Sequence, residues 1–567
     1  MDIKKLLLYA AVALLGTMIW TQWQKDYSAP KTQASQSAIS PSSKGATTPG
    51  SFTPPSFHGK STTPSAATPS MKAQVPSMPT QTTVSVKAIS IKTDVLDLEI
   101  SNAGGNIISA KLPAYPISAK QKNIPIQILT PDPQRVYVAQ SGIKGKSVNK
   151  LDFTSAQKTY VMQPGQDNLS VSITAKTKTG IVVTKTFDLR RGSYAVKQTI
   201  SVKNVSGKDW KGSFFNQIIR KNLVSSSLFS RSYNGAAISS HEDLYQKKSF
   251  KDLSEKNIDQ QVEGGWIAMQ QPYFLSAWVP TSQNENLFYS QMIGSGEKGR
   301  GNVFYLGYVS PTISLAPGKT ATSASTLYVG PELEDQLNAI APGLDLTIDY
   351  GWLWFISKPI FYVMSAIHSV VGNWGWSIIL VTLLIKLIFY PLSAKSYKSM
   401  AKMREVTPRL QAIREQYKHD KQALGKATME FYKREKVSPA GGCLPMLIQI
   451  PVFIALYYVL IESVQLRQAP FIFWIHDLSI KDPWHILPIL MAGSMFLQQK
   501  LSPPPPDPTQ AKMMLFLPVV FLFVFWNFPA GLVLYWLTNN LLSITQQWYI
   551  IKTYDPKADH KKKKKKR

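Results

Sequence analysis

The sequence predicts a multi-domain membrane protein with an N-terminal anchor helix, an all-β extracytoplasmic sandwich and a five-span α-helical core that carries a cytoplasmic helical hairpin. Apolar residues crowd into the first 20 residues and into the stretch after Tyr350, while short alternating runs fill the region between them. The 63 Lys+Arg against 34 Asp+Glu give a net charge of +29. Because much of that charge lies beside the apolar segments, it favours a membrane surface over nucleic acid.

Composition excludes several classes of protein. Because apolar residues are distributed so unevenly along its 567 residues, the chain is not one ordinary soluble domain. Cys443 is the only cysteine, which excludes an intrachain disulfide and any multi-cysteine zinc or iron–sulfur site. Only seven scattered histidines remain as soft metal ligands. We therefore expect no metal and no cofactor.

Residues 1–23 place Lys4 and Lys5 before an apolar run that ends at Ile19 and Trp20, in the order typical of an export signal. No small-residue cleavage site and no lipobox cysteine follow, so we expect an uncleaved anchor; a cleaved signal peptide is the alternative. Residues 24–83 are dominated by Ser, Thr, Pro, Ala and Gln. Such a segment cannot bury enough apolar surface to offset its ordering entropy, and we predict a disordered linker.

Residues 84–330 show short alternating runs separated by turn signals, which predict a β-sandwich. They contain no paired carboxylates at useful spacing, no histidine cluster and no nucleophile motif. The aromatic residues Trp266, Tyr273 and Trp278 are compatible with carbohydrate binding or with an ordinary buried core. The pattern favours the buried core.

Five apolar segments without Asp or Glu predict the spans of the helical core. The absence of carboxylates at membrane depth counts against a proton-coupled transporter. The predicted divisions are a connector with an interfacial helix at 331–369, spans at 370–390, 441–461, 484–500, 513–528 and 531–551, a basic hairpin at 391–440, an outer loop at 462–483, a Pro-rich cytoplasmic loop at 501–512 and a basic tail at 552–567.

The distribution of charge predicts the orientation of these spans. The segment 392–438 holds twelve Lys/Arg and five Asp/Glu, and the chain ends in a run of lysines. Both belong on the cytoplasmic side, whereas the nearly balanced loop 462–483 suits the outer side. Six spans that start in the cytoplasm also end there, so the predicted topology and the charges agree.

Two segments outside the spans show helical periodicity. Apolar residues at helical spacing follow Pro359, which suits a helix start, and predict an amphipathic helix on the outer membrane surface; the alternative is an extension of the first span. In the basic segment, Thr407 and Pro408 predict an N-cap and first helical residue, and a second helix follows Asp420. We expect a hairpin that is either a solvated loop or a docking arm.

Lys386 is the one cation that we place at membrane depth, about one turn from the cytoplasmic end of its helix. Thr382 lies one turn away on the same face, Gln449 lies in the second span, and the last span holds a polar run that includes Thr538. These groups could line a wet cavity. Snorkelling of Lys386 to the headgroups and polar contacts between helices are the alternatives.

The core motifs closely resemble the YidC family of membrane-protein insertases in its Gram-negative form. They are GWSII at 375–379, YPL at 390–392, MAKM at 400–403, GGCLP at 441–445, LRQAPF at 466–471, WIHDL at 474–478 and FPAGLVLYW at 528–536. The resemblance implies insertion of newly made inner-membrane proteins, alone or with the Sec translocon, through a hydrophilic groove without ATP hydrolysis, and it makes the sandwich periplasmic.

The resemblance also implies roles for particular residues. The family's usual groove arginine falls at Lys386, which keeps the charge and loses the bidentate fork. The implied groove residues are Lys386, Thr382, Gln449, Trp536, Tyr535 and Thr538. The implied partners are nascent membrane proteins, the Sec translocon, anionic lipids, and a ribosome or targeting receptor that meets the basic residues Lys402, Arg404, Arg409, Arg414, Lys561, Lys562 and Lys563. A small-solute transporter or channel, and a membrane-anchored envelope-assembly protein, are the alternative functions.

Overall fold

The computed structural model describes residues 87–553 except 146–147, 149–150, 224–232, 282–283, 295–300, 436, 438–443 and 503–507. The predicted anchor at 1–23, the linker at 24–83 and the tail residues Lys561, Lys562 and Lys563 lie outside the described residues. The domain boundaries predicted there stay predictions.

The first half of the described chain is almost entirely β-structure because its sequence alternates apolar and polar residues. In Asn168–Lys176 every second residue is buried, and Ile181–Arg190 shows the same period of two. The strands are β1 Ala88–Lys92, β2 Asp97–Ser101, β3 Ile107–Ser118, β4 Gln121–Leu129, β5 Tyr137–Gly145, β6 Thr154–Ser155, β7 Thr159–Val161, β8 Asn168–Lys176, β9 Ile181–Arg190, β10 Ala195–Asn204, β11 Trp210–Lys221, β12 Gly235–Ser239, β13 Gln246–Lys248, β14 Asp259–Glu263, β15 Trp266–Gln271, β16 Phe274–Pro280, β17 Glu285–Ile293, β18 Val303–Val309, β19 Ile313–Leu315 and β20 Thr320–Pro331.

These strands form two sheets. One has the order β14-β17-β18-β11-β5-β3-β2-β1-β7, with β4 added to β3 and β19 added to β11. The other has the order β13-β12-β15-β16-β20-β10-β9-β8-β6. Among the described strands the pairing is antiparallel except between β1 and β7. The predicted β-rich fold of this region is therefore present.

Buried aromatic side chains join the two sheets. Trp266 and Trp278 are 1% and 0% exposed, so both belong to the core and not to a sugar-binding surface. The indole of Trp278 donates to the carbonyl of Gln217 on the opposite sheet at 3.3 Å, and the Tyr137 hydroxyl donates to the carbonyl of Met269 at 2.9 Å. Each ring buries its apolar body and satisfies its polar tip across the interface.

The second half is helical. Its described helices, together with one short helix inside the sandwich, are α1 Phe250–Glu255, α2 Glu334–Ile340, α3 Trp354–Val371, α4 Trp374–Ile388, α5 Tyr390–Gln416, α6 Lys421–Glu435, α7 Leu444–Glu462, α8 Ile486–Leu501, α9 Pro508–Phe525 and α10 Ala530–Thr553. The Asn373 side chain caps α4 by accepting from the amides of Gly375 and Trp376. Asp420 does the same for α6, accepting from Gln422 and Ala423.

Two predicted helix starts are wrong. The helix expected to begin at Pro359 begins at Trp354, and Pro359 lies inside it. Thr407 and Pro408 do not cap a new helix, because α5 runs through both from Tyr390 to Gln416. The Thr407 hydroxyl donates to the Met403 carbonyl at 2.7 Å, and Leu410 is buried just beyond the proline, so packing keeps the helix continuous where a local signal favours a start.

By length and composition, the described residues contain one helix that could cross a membrane alone, α3, with a mean hydropathy of 1.2. The helices α4 and α5, which meet at a bend of 69°, would together form a second candidate if they count as one span. Ile448–Glu462 and Met514–Phe525 are shorter apolar helices. The five core spans and the interfacial position of α3 therefore stay predictions.

Polar contacts fasten the sandwich to the helical region. Arg467, in the segment between α7 and α8, donates to the carbonyls of Pro116 and Ile117 on β3 at 2.9 and 3.0 Å. On α3, Lys358 lies 2.6 Å from the carboxylate of Glu334, which also accepts from the Tyr362 hydroxyl at 2.7 Å; Glu334 begins α2, the helix that directly follows the last strand of the sandwich. The two halves thus share a structured junction.

Candidate functional site

A polar cavity lies where four helices of the second half meet. It encloses about 460 Å³ of empty space, part of which is open to the surroundings. It lies beside the junction of α4 with the basic helix α5. The residues that line it come from α4, α5, α7 and α10, and they are Thr382, Ile385, Lys386, Phe389, Leu392, Ser393, Ile448, Gln449, Val452, Tyr535 and Asn539.

Helical spacing explains why these side chains share one space. The four lining residues of α4 and its C-terminal end stand at positions i, i+3, i+4 and i+7, which form one face of a helix. Tyr535 and Asn539 are separated by one turn of α10. The cavity is thus a place where helix faces that carry both polar and apolar residues meet each other.

Lys386 is the only charged side chain among the described residues that line the cavity. Its amine donates to the hydroxyl of Ser543 on α10 at 2.7 Å. The Thr382 hydroxyl is buried and donates to the Ile378 carbonyl of its own helix at 2.6 Å. The described lining thus combines one amine with neutral polar and apolar side chains.

The polar run of the last helix divides between two faces. Asn539 lines the cavity, whereas the Asn540 side chain donates to the Ser494 hydroxyl on α8 at 3.0 Å. Gln547 reaches the Ser502 hydroxyl at 3.4 Å, and the Thr545 hydroxyl donates to its own helix at the Leu541 carbonyl. Part of this run therefore joins helices, which is the ordinary role of polar groups in such a core.

Of the six predicted groove residues, the structure brings Lys386, Thr382, Gln449 and Tyr535 to one cavity. Trp536 does not line it; its ring packs edge-on against Phe453 at 4.7 Å and beside Phe525 at 5.3 Å. Thr538 is half-buried and also lies off the cavity. A step of one residue turns a helix by about 100°, so Trp536 next to Tyr535, and Thr538 next to Asn539, point away from the cavity.

Sequence reasoning counted Asn539 in the polar run of the last span, but it did not single out Ser393 or Ser543. A usable signal exists for Ser543, because Tyr535, Asn539 and Ser543 repeat at intervals of four residues on α10. All three are buried. Ser393 has no comparable signal, since its position depends on the bend between α4 and α5.

The four predicted docking residues within the described chain all lie on α5. Arg404 and Arg409 are exposed, and Arg409 lies 3.6 Å from the carboxylate of Glu435 on α6. Arg414 and Lys402 are half-buried. They form a basic helix, not a pocket.

Comparisons with known proteins match both halves of the chain. The family model described as "60Kd inner membrane protein" matches residues 366–558, and the model described as "YidC periplasmic domain" matches residues 88–363. A protein named membrane protein insertase YidC from Coxiella burnetii (strain CbuK_Q154) is 50% identical over 573 residues, covering 100% of this chain and 99% of the relative. The protein of the same name from Legionella pneumophila (strain Lens) is 46% identical over 571 residues and covers 99% of both chains.

A solved crystal structure of a YidC insertase with its first transmembrane domain also matches. It covers 83% of this chain and 95% of the solved chain, at 18% identity and a TM-score of 0.37. The full-length sequence relatives are thus the stronger of the two comparisons.

Proposed function

The chain belongs to the YidC family of membrane protein insertases, and we propose that it inserts newly made inner-membrane proteins through the polar cavity around Lys386. It is an insertase and not an enzyme. Membership in this family replaces the two alternative functions, a small-solute transporter or channel and a membrane-anchored envelope-assembly protein.

The observation that supports the cavity is the single lysine among its described lining residues. Moving the acidic part of a substrate toward the membrane interior costs hydration energy, and a wet cavity lowers that cost. A positive charge adds attraction, which for a carboxylate at about 4 Å amounts to roughly 4 kcal/mol at an effective dielectric constant near 20. We propose that Lys386 holds the acidic extracytoplasmic segment while the apolar segment of the substrate moves into lipid.

Neutral groups around the lysine complete the cavity. Thr382, Gln449, Tyr535 and Asn539 supply donors and acceptors that substitute for water around a passing peptide segment. Because a lysine is a compact point charge, it attracts carboxylates of any orientation and lacks the two-point geometry of an arginine. We therefore propose recognition by charge and not by shape.

Apolar side chains exposed on α9 supply a surface that suits lipid or a substrate helix. Phe516 and Phe523 are 67% and 72% exposed. We propose that α4, α7, α8, α9 and α10 are the five core spans, that the sandwich is periplasmic, and that both termini and the helices α5 and α6 face the cytoplasm. The cationic residues of 392–438 support this orientation.

The proposed partners follow from charge. The basic residues Lys402, Arg404, Arg409 and Arg414 suit anionic lipid headgroups, a ribosome or a targeting receptor. The lysines of the tail, Lys561 to Lys563, would add to the same attraction, which falls with salt. Cooperation with the Sec translocon is part of the same proposal.

Three variants of Lys386 test the cavity. We expect Lys386→Arg to be active, Lys386→Ala to insert an acidic-tailed substrate severalfold less well, and Lys386→Glu to be worst, because reversing the charge turns attraction into repulsion. The measurement is insertion of one substrate with an acidic extracytoplasmic tail and of the same substrate with that tail neutralised.

Equal protein levels of all variants are the control for folding. A lysine that only snorkels to the headgroups would tolerate alanine, with little change for either substrate. Equal insertion of the acidic substrate by the wild type and by the Ala and Glu variants would refute the role of Lys386 in the cavity.

A further inference from the structure

Ser543 occupies a position that fixes where the amine of Lys386 lies. Its side chain is 2% exposed, and its hydroxyl donates to the Asn539 carbonyl one turn earlier at 2.7 Å. An ammonium group has only donors, so in the contact with Lys386 at 2.7 Å the lysine donates and the serine accepts. Because the Ser543 proton goes to the backbone of α10, its oxygen faces the lysine as an acceptor.

Ser543 also lies beside Tyr397, which is buried on α5. Its hydroxyl is held by its own bond to the backbone of α10, and it presents an acceptor to Lys386 on α4 from a fixed place.

A lysine side chain needs such a partner to stay in a cavity. Its long stem has large rotamer freedom, and near the end of a membrane helix it can extend to the headgroups. A hydrogen bond from a charged amine to a fixed hydroxyl opposes that freedom, and it leaves two further N–H donors of Lys386 for other partners. Among the described residues, Ser543 is the hydrogen-bond partner of this amine.

We propose that Ser543 is a positioning residue of this insertase: it holds the Lys386 amine at the cavity wall, where the amine meets acidic substrate segments. This inference rests on the proposed role of Lys386. Ser543 itself touches no substrate, so its effect passes through the lysine and disappears when the lysine is absent.

The test measures the acid preference, defined as insertion of an acidic-tailed substrate divided by insertion of the same substrate with a neutralised tail. We expect Ser543→Ala to lower this ratio by about three- to tenfold, as loss of part of a charge-assisted hydrogen bond predicts. Ser543→Thr keeps the hydroxyl and should restore the ratio to near the wild-type value. Insertion of the neutral substrate should change little in both variants.

Ser494→Ala is the matched control. Ser494 is a buried serine of the same core that also bonds α10, by accepting from Asn540, and its hydroxyl donates to the Met491 carbonyl of its own helix. Its loss should leave the acid preference unchanged. An equal fall of the ratio in Ser494→Ala and Ser543→Ala would show a general packing effect and overturn the positioning role.

A double variant separates this inference from the proposed function. In a Lys386→Ala background, Ser543→Ala should cause no further fall in the acid preference. A further fall would overturn the inference, because Ser543 would then act without the lysine. If Lys386→Ala lowers the ratio but Ser543→Ala does not, only the positioning role fails. If Lys386→Ala leaves the ratio unchanged, the proposed function of the cavity fails.

Discussion

Lys185 on β9 is a buried cation in the sandwich, and its replacement gives a sharp test of how the domain is held together. The side chain is 1% exposed, and its amine donates to the carbonyls of Gly104, Gly105 and Ser141 at 2.8, 2.9 and 2.7 Å. The ring of Phe153 lies 5.2 Å from the nitrogen. One amine therefore ties the turn between β2 and β3 to β5.

Lys185→Met keeps the apolar stem and removes the donors. The carbonyls then lose three hydrogen bonds when the amine is charged and two when it is neutral, each worth about 1 kcal/mol, while the desolvation cost of the amine is also removed. We therefore expect a net loss of about 2 kcal/mol in the free energy of unfolding. For a domain of this size that corresponds to a melting temperature lower by roughly 4–8 °C. Calorimetry of the full chain in detergent measures it.

The effect should depend on pH. Burial lowers the pKa of Lys185 from 10.5 to about 7. Between those values the unfolded chain binds more protons than the native protein, so the contribution of Lys185 to the free energy of unfolding rises with pH in this window. The difference in melting temperature between the wild type and Lys185→Met should therefore grow from about pH 7 to about pH 9.

Lys197→Met is the control, because Lys197 is an exposed lysine on the neighbouring strand β10. It should change the melting temperature by no more than about 1 °C. Equal melting temperatures of the wild type and Lys185→Met, or an equal loss in both variants, would refute the reasoning. Insertion by Lys185→Met should stay near normal, because the cavity lies on other elements.

Two further predictions concern the architecture. Deleting much of the sandwich, with the anchor and the chain from Pro331 onward kept, should leave insertion largely intact in a complementation assay. It should lower the thermal stability of the helical region, because Arg467 loses its carbonyl partners. Complete loss of function at normal protein levels would contradict this. Gly375→Ala should destabilise the protein by about 1–3 kcal/mol, because a Cβ there would lie 2.0 Å from the Phe471 ring. Gly493→Ala, whose Cβ would meet nothing within 4 Å among the described atoms, is the control; equal melting temperatures of both variants would refute the clash.

Local periodicity determined much of this protein from sequence. Alternating burial along β8 and β9 and the apolar runs of α7 and α9 follow from the residues themselves, since each pattern suits only one way of burying its apolar side. The family resemblance was likewise visible in the motifs, and full-length relatives confirmed it. The cation at Lys386 was identifiable because a charge in an apolar run has few ordinary explanations.

Tertiary structure alone decided which polar groups meet. The sequence offers Asn539 and Asn540 as equals, yet one lines the cavity and the other bonds Ser494, because the rotation of α10 against its neighbours depends on packing along its whole length. The same reason places Trp536 in an aromatic cluster beside the cavity residue Tyr535. A helix continues through Pro408 because buried contacts outweigh a local start signal. Contacts between distant segments, such as Lys386 with Ser543, exist only once the helices are packed, so no local pattern in the sequence encodes them.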